Sequence, residues 1–312
     1  MRFATIRIGD TLTAARIEKD RAVLVDATDA VDAYLRRGRL ADVGELDART
    51  APYARVSPAP AHILCVGLNY RSHVEELGCP MPTYPTFFAK FASTLTGPRD
   101  TITLPSVSDH IDGEAELAVV VGRHLHRADV KEAADAIAGY TVANDLSLRD
   151  WQHRTTEALQ GKVFDRSTPL GPVLVTPDEL DDARDLTVTF SVDGVPWQRD
   201  STSDLLFTPA ELLAYCSTFL TLEPGDVILT GTPGRTSNAA STLTPGRRLM
   251  TAIEGIGAAI NPTCVDSLPD TRATWRGKPP GEQVAGRSRG RVSPPGRGRR
   301  GILRGKPCRP TA

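Results

Sequence analysis

The chain has 312 residues, which is enough for one large domain or two modest ones, and 40% of them are hydrophobic, as in an ordinary soluble protein. No apolar run approaches the roughly 20 residues that a membrane-spanning helix needs. The N-terminus enters strand-like alternation directly, without the apolar core of a signal peptide. We therefore expect a cytoplasmic protein that does not associate with membranes.

The net charge of −1 conceals an asymmetry. Residues 267–312 contain ten Arg and two Lys against two acidic residues and so carry +10, which leaves −11 for residues 1–266. Because large apolar residues nearly vanish there, we predict a disordered basic tail over 266–312. Nucleic-acid binding through this tail is an alternative function, but the acidic body would repel phosphates and the tail contains no known binding motif. Nucleic acid is therefore not the expected partner.

The sequence pattern predicts a small β-rich N-terminal domain over residues 1–58, followed by a larger domain over residues 59–265. Within residues 1–58 it indicates strands at 1–8, 12–17 and 22–26 and a helix over 29–37. Further along, the pattern predicts helices at 129–139 and 208–220 and strands at 186–192, 227–229, 250–253 and 258–260.

A histidine and a glutamate follow the next predicted strand, 62–66. Ser72 is a candidate N-cap for a short helix on which His73 and Glu76, at positions i and i+3, share a face. A carboxylate beside an imidazole orients the ring and raises its basicity, as a general base requires. The alternative is a surface histidine in a solvated turn.

Two glutamates precede a buried strand predicted over 117–121. Side chains alternate along a strand, so Glu114 and Glu116 point to the same side. Two like charges beside a core strand are tolerable if a cation lies between them, and a hard divalent ion prefers such oxygen ligands. The alternative is an exposed strand end.

A third acidic residue, Asp145, lies where the predicted strand 140–145 ends, and it could complete a metal site. Helical spacing would place Arg149 one turn after it and Gln152 nearly one turn further. The alternative role for Asp145 is a helix N-cap.

Three more segments carry candidate polar groups. Lys162 lies in a turn beside an aromatic residue. Gly231 and Thr232 end strand 227–229, where backbone N–H groups and a hydroxyl could hold an anion. Lys90 is bracketed by three phenylalanines, which either line a pocket or belong to the core.

Together these segments resemble the fumarylacetoacetate hydrolase family over about residues 60–265. The resemblance lies in six blocks in the same order: Gly67-Leu-Asn-Tyr-Arg-Ser-His73-Val-Glu-Glu76, Asp112-Gly-Glu114-Ala-Glu116-Leu-Ala-Val-Val-Val-Gly122, Asn144-Asp145-Leu-Ser-Leu-Arg149-Asp-Trp-Gln152, Gly161-Lys162-Val-Phe-Asp, Thr202-Ser-Asp-Leu-Leu-Phe207 and Leu222-Glu-Pro-Gly-Asp-Val-Ile-Leu-Thr-Gly-Thr-Pro233.

The resemblance implies a β-rich α+β fold, a mixed β-sandwich roll, usually in a homodimer with Mg²⁺ or a similar ion such as Mn²⁺ or Ca²⁺. It further implies a role for each candidate residue: metal ligation for Glu114, Glu116 and Asp145, water activation for His73 and Glu76, and substrate contacts for Lys162, Arg149, Gln152, Gly231 and Thr232.

Two positions depart from the family pattern. Relatives usually have an aromatic residue where this chain has Gly113, so we expect a looser metal strand. After Pro233 relatives continue with a short turn of small residues, whereas this chain has Gly234-Arg235-Thr236-Ser237-Asn238, which changes that side of the pocket.

The resemblance implies metal-dependent hydrolysis of a C–C bond in a 2,4-dioxo acid of the acylpyruvate type, through a metal-bound enolate. His73 with Glu76 would activate the water, and Lys162 would stabilise the enolate. The alternative on the same site is isomerisation, tautomerisation or decarboxylation of a 2-oxo acid. A metal-binding fold without catalysis is a third possibility.

Overall fold

The computed structural model describes residues 1–237, 239–240 and 242–266, so the predicted tail lies outside the described residues apart from Asp266. The described part contains nineteen strands and five α-helices. The strands are β1 (Arg2–Ile8), β2 (Thr11–Glu18), β3 (Arg21–Val25), β4 (Asp42–Asp47), β5 (Ile63–Gly67), β6 (Thr86–Lys90), β7 (Leu95–Thr96), β8 (Ile102–Leu104), β9 (Ile111–Asp112), β10 (Ala115–Val121), β11 (Ile137–Asn144), β12 (Ser147–Leu148), β13 (Thr168–Pro169), β14 (Leu174–Val175), β15 (Thr187–Val192), β16 (Val195–Ser201), β17 (Val227–Leu229), β18 (Arg248–Ile253) and β19 (Gly257–Val265). The helices are α1 (Ala30–Leu35), α2 (Arg71–Glu76), α3 (Val130–Asp135), α4 (Arg149–Gln152) and α5 (Pro209–Ser217).

A ten-stranded mixed sheet forms the body of the protein, in the order β4-β3-β2-β1-β14-β11-β10-β17-β5-β6. Strands β10 and β11 lie near its middle, and every residue in both is buried. Successive residues of β10 belong to different parts of the core, with Leu117 and Val119 on one side and Ala118 and Val120 on the other. Burial on both faces explains why this strand is an unbroken apolar run.

A second sheet covers one face of β10 and β11. It has five strands in the order β16-β15-β18-β19-β8, and its strands β15 and β18 contact β10. The two packed sheets and few short helices confirm the predicted β-rich sandwich. Antiparallel pairing of β1 with β14, with Phe3 opposite Leu174, joins the N-terminal strands to the large sheet. A domain boundary near residue 58 stays a prediction.

Most predicted elements are present, but three local expectations are wrong. The helix predicted over 129–139 ends at Asp135, and β11 begins two residues later. No helix starts at Asp145, because the chain first forms β12 and then α4. Ser72 does not cap α2: Tyr70 occupies the N-cap position, and the Ser72 N–H donates to Asp204 Oδ2 at 2.8 Å. Among the described residues, no helix has the length and apolar character to cross a membrane.

Candidate active site

Three carboxylates converge beside β10. Glu114, Glu116 and Asp145 are buried, and one oxygen from each lies within 4.8 Å of the others. The antiparallel pairing of β10 with β11 places Ala115 opposite Asn144, and the Asp145 N–H donates to the Glu114 carbonyl at 2.9 Å. The exposed-strand-end interpretation of the two glutamates is therefore wrong, as is the N-cap role for Asp145.

Two buried lysines contact these carboxylates. Lys162 Nζ lies 2.5 Å from Glu114 Oε2 and 3.0 Å from Asp145 Oδ2, and 5.3 Å from the centre of the Phe88 ring. Lys90 Nζ, at the end of β6, lies 2.5 Å from Asp145 Oδ1. Asp145 thus receives one lysine on each oxygen, which fixes its orientation.

Arg149 links this cluster to a fourth carboxylate. Its guanidinium donates to Asp112 Oδ2 at 2.8 Å and pairs with Glu114 Oε1 at 2.6 Å. Gln152 Oε1 accepts a further bond from Arg149 Nη1 at 2.9 Å, so the two predicted substrate residues contact each other. Both side chains are only partly buried, which leaves them accessible from one side of the site.

The buried charges shift the pKa values of the two glutamates in opposite directions. Burial, reinforced by the charges of Asp145 and Glu114, raises the pKa of Glu116 well above its usual value. Burial would also raise the pKa of Glu114, but the nearby cations Lys162 and Arg149 outweigh it and lower that pKa. Burial lowers the pKa of the Lys162 ammonium less than Asp145 and Glu114 raise it, so Lys162 stays protonated.

The donor set fits a hard divalent cation. Carboxylate oxygens from three side chains are the ligands that Mg²⁺, Mn²⁺ or Ca²⁺ prefers. Glu116 contributes the strongest support, because burial and the charges of Asp145 and Glu114 raise its pKa, and a cation between the three carboxylates would favour its ionised form. Glu114, Glu116 and Asp145 could therefore hold one such ion.

His73 and Glu76 form the predicted pair on α2. The two side chains are 3.1 Å apart between His73 Nδ1 and Glu76 Oε2, and the imidazole is 19% exposed. Arg235 links the pair to the carboxylates, because its backbone N–H donates to Glu76 Oε2 and its guanidinium pairs with Asp112, which also pairs with Arg149. His73 is therefore partly buried and paired with a carboxylate, unlike the surface histidine in a solvated turn that was the alternative.

Gly231 and Thr232 lie just after β17 and donate hydrogen bonds to two residues of β10. The Gly231 N–H donates to Glu116 Oε2 at 2.6 Å. The Thr232 hydroxyl donates to the Ala115 carbonyl at 2.9 Å and accepts a bond from Gln198 Nε2 at 2.9 Å. Their polar groups therefore position Glu116 and β10, and direct substrate contact by either residue stays a prediction.

At Gly113, the first departure from the family pattern, the side chain of another residue occupies the space beside the backbone. A Cβ added at Gly113 would lie 2.4 Å from Cζ of Phe190 on β15. The Phe190 ring is fully buried and packs edge-on against Trp197, with ring centres 5.9 Å apart. The expectation of a looser strand is therefore wrong, because an aromatic ring from the second sheet occupies this space.

The second departure brings an arginine to the site. Arg235 Nη1 lies 2.5 Å from Asp112 Oδ1, and the Arg235 backbone N–H donates to Glu76 Oε2 at 3.1 Å. Its guanidinium carbon lies 5.2 Å from the centre of the Trp197 ring. Asp112 thus pairs with two arginines, and the segment after Pro233 contacts the His73–Glu76 pair directly.

We call the resulting set of eight charged groups the ionic cluster. It consists of the carboxylates of Asp112, Glu114, Glu116 and Asp145 and the cations of Lys90, Lys162, Arg149 and Arg235. Sequence reasoning did not assign site roles to Lys90, Asp112 or Arg235. The signal for Lys90 was the three phenylalanines around it, because a lysine that is buried among apolar side chains needs a carboxylate partner.

The segment that carries these site residues matches a known protein family. Residues 62–263 match the family model described as fumarylacetoacetate (FAA) hydrolase, C-terminal. Human mitochondrial oxaloacetate tautomerase FAHD2A is 37% identical to this chain over 250 residues, covering 78% of this chain and 80% of the human protein.

Solved structures extend the likeness to enzymes with different names. The 5-carboxymethyl-2-hydroxymuconate delta-isomerase from Mycobacterium smegmatis superposes with a TM-score of 0.74 at 31% identity, covering 85% of this chain and 100% of that one. The fumarylacetoacetate hydrolase from Exiguobacterium antarcticum superposes with a TM-score of 0.76 at 27% identity and the same coverage. An isomerase and a hydrolase thus share this fold.

Proposed function

Because the chain belongs to the fumarylacetoacetate hydrolase family, we propose that it is a divalent-metal-dependent enzyme that interconverts the keto and enol forms of a 2-oxo acid. The observation that carries the proposal is the buried group of Glu114, Glu116 and Asp145 beside the His73–Glu76 pair. The printed activity of the human relative, an oxaloacetate tautomerase, supports tautomerisation as the reaction.

The three carboxylates would hold the ion. When bound, Mg²⁺, Mn²⁺ or Ca²⁺ supplies a Lewis acid that polarises the keto oxygen of a 2-oxo acid. Lys162 would add a fixed positive charge and an N–H donor for the negative charge that develops on that oxygen. Its Nζ lies 2.5 Å from Glu114 Oε2 and 3.0 Å from Asp145 Oδ2, so this donor lies beside two of the carboxylates that would hold the ion.

His73 would move the proton. In the conversion of enol to keto form, the enol oxygen loses a proton and carbon 3 gains one. Glu76 contacts Nδ1 of the imidazole and would favour the orientation in which Nε2 carries out the transfer. Arg149 and Gln152, accessible from one side, would contact the substrate and limit its orientations in the site.

The second candidate is hydrolysis of an acylpyruvate, and the partial exposure of His73 and Glu76 favours it. His73 would take a proton from water, the resulting hydroxide would add to the distal carbonyl, and the C–C bond would break. The electron pair of that bond would pass to the departing 2-oxo acid fragment as its enolate. We place it second because the relative's printed name supports tautomerisation, whereas the site's residues suit both reactions.

One experiment separates the two reactions. Protein loaded with Mg²⁺ or Mn²⁺ is mixed with the enol of oxaloacetate, and loss of enol absorbance is followed; a parallel reaction uses acetylpyruvate and measures pyruvate. We expect faster tautomerisation than the buffer gives, abolished by a chelator and restored by added metal. Pyruvate formation without tautomerisation would place hydrolysis first, and neither activity would overturn the proposal.

We also propose that the protein is a homodimer, as the family resemblance implies. Sedimentation equilibrium of the full chain tests the assembly, because a monomer of 33.6 kDa and its dimer differ twofold in mass. A concentration-independent monomer would contradict it.

A further inference from the structure

We propose that Arg235 is a specificity-determining residue that binds a second carboxylate of the substrate, so that the enzyme selects 2-oxo dicarboxylic acids over 2-oxo monocarboxylic acids. This inference rests on the proposed function, since it concerns the substrate of the same site. It starts from the segment after Pro233, where the guanidinium of Arg235 pairs with Asp112 and its backbone N–H donates to Glu76.

The backbone holds Arg235 at the rim of the site. Its N–H donates to Glu76, and its bridge to Gln198 joins the segment to β16. The next residue strengthens this attachment, because the Thr236 N–H donates to the Trp197 carbonyl at 2.8 Å. A Cβ at Gly234 would lie 2.8 Å from Glu76 Oε2, so a glycine there permits the close approach of this segment to the His73–Glu76 pair.

The Arg235 guanidinium is held in one orientation, but not all of its N–H groups have a partner among the described residues. Asp112 and the stack on Trp197 fix the guanidinium, and one Nη2–H group donates to the Ala240 carbonyl. Its Nε–H donates to no residue that the structure describes. By contrast, Arg149 contacts two carboxylates and Gln152, so fewer of its donors are available to a ligand.

The two arginines of the ionic cluster are more exposed than its two lysines, so the cluster is open to solvent at the arginines. The side chains of Lys90 and Lys162 are 0% and 3% exposed, whereas those of Arg149 and Arg235 are 28% and 25% exposed. A ligand that enters from solvent therefore meets a guanidinium group before it reaches the lysines. A planar guanidinium with free N–H donors matches a carboxylate.

The charge balance points to the same substrate class. The four carboxylates and four cations of the ionic cluster cancel in formal charge. A divalent ion bound there would give the ionic cluster an excess of positive charge, which attracts a doubly charged dicarboxylate more strongly than a singly charged monocarboxylate. One carboxylate and the keto oxygen would face the metal-holding side chains, and the distal carboxylate would face Arg235.

The first test is equilibrium binding, which does not depend on turnover. Malate and lactate are stable 2-hydroxy acids that differ in the distal carboxylate, and calorimetry measures both with Mg²⁺-loaded protein. We expect Arg235→Gln to weaken malate binding by about 10- to 100-fold, as for a lost hydrogen bond to a charged group. Lactate binding should stay within about twofold, because lactate has no group that reaches Arg235.

Two further variants separate recognition from structural support. Arg235→Lys keeps the charge and should recover part of the malate affinity. Arg49→Gln is the control, because Arg49 also pairs with an aspartate, at 2.8 Å, but is 72% exposed and lies in the N-terminal segment. Equal losses of malate and lactate affinity in Arg235→Gln would show that Arg235 only supports the loop, and the proposal would be overturned.

The second test is kinetic and uses the enols of oxaloacetate and phenylpyruvate. Arg235→Gln should raise KM for the dicarboxylate by about 10- to 100-fold with little change in kcat, and leave the monocarboxylate unaffected. If the wild-type protein converts neither enol but loses its malate preference on substitution, the proposed reaction fails and Arg235 recognition stands. If it converts both and the variant keeps the wild-type preference, Arg235 recognition alone fails.

Discussion

Lys90 and Asp145 form a fully buried ion pair, with Nζ 2.5 Å from Oδ1 and both side chains 0% exposed. The pair ties the end of β6, an edge strand of the large sheet, to the acidic residue that follows β11 near its middle. Removing one member of a buried pair leaves the other charge without compensation, which is far more costly than losing a surface pair. Lys90 therefore both stabilises the fold and orients a proposed metal ligand.

Lys90→Met should lower the free energy of unfolding by up to about 3–5 kcal/mol, the cost of an uncompensated buried charge, because Asp145 then keeps only Lys162 as a partner. Urea unfolding followed by circular dichroism measures the change. Lys131→Met is the matched control: its pair with Asp135, at 3.2 Å, is on the surface, with Lys131 86% exposed, and its loss should change stability by less than about 0.5 kcal/mol. Equal effects of the two substitutions would contradict the role assigned to Lys90.

The second prediction concerns the contribution of Glu116 to the affinity for a divalent metal ion. Glu116→Gln keeps an oxygen that can accept the Gly231 N–H but removes a charged ligand. We expect Mn²⁺ affinity to fall by at least about 100-fold in calorimetric titration, since even residues that only support ligands change affinity 10- to 100-fold. The metal-free variant should remain folded, and unchanged Mn²⁺ binding would exclude Glu116 as a ligand.

The sequence predicted the carboxylates because their signal is local. Alternation placed Glu114 and Glu116 on one side of a strand, and the strand exit at Asp145 completed the set. Long strands such as β10 were predictable for a similar reason, whereas the two-sheet arrangement was expected only from the family resemblance. Short elements were harder to predict. For example, α4 has four residues, which are too few for helical periodicity to distinguish it from a turn.

Two cations of the site, Lys90 and Arg235, were harder to predict, because their partners are distant in the chain. Lys90 lies 55 positions from Asp145, and sheet pairing brings them together only after β5, β10, β11 and β17 are in place. Arg235 was visible only as a departure from the family pattern, with no sign that it would pair with Asp112. Local patterns identify a residue's environment but not a partner on a remote strand.

Packing at Gly113 provides the third prediction. Gly113→Ala places a methyl group against the Phe190 ring, where the Cβ distance would be 2.4 Å, and should cost about 1–3 kcal/mol of stability. Adding Phe190→Leu should recover part of that loss, because the smaller side chain leaves room. Thermal unfolding measures both variants, with Gly38→Ala as the control, since an added Cβ there meets nothing within 4 Å. No destabilisation at Gly113 would show that Phe190 can move freely.

His73 is the subject of the last prediction. His73→Ala should slow tautomerisation of the enol of oxaloacetate by about 10²- to 10⁴-fold, the usual contribution of a general acid–base group. Mn²⁺ affinity should stay near the wild-type value, because His73 is not a proposed ligand. Glu76→Gln should give a smaller loss, since the imidazole remains but is less strongly polarised by its partner.

The chain offers a close control for this variant. His124 and Glu223 also form a histidine–glutamate pair with 3.1 Å between Nδ1 and Oε1, but His124 is 64% exposed. His124→Ala should leave the rate unchanged. Stopped-flow absorbance with and without metal measures all three variants. A wild-type rate in His73→Ala would assign proton transfer to another group, whereas loss of Mn²⁺ binding in the same variant would mean that the imidazole supports the metal site and not the proton step.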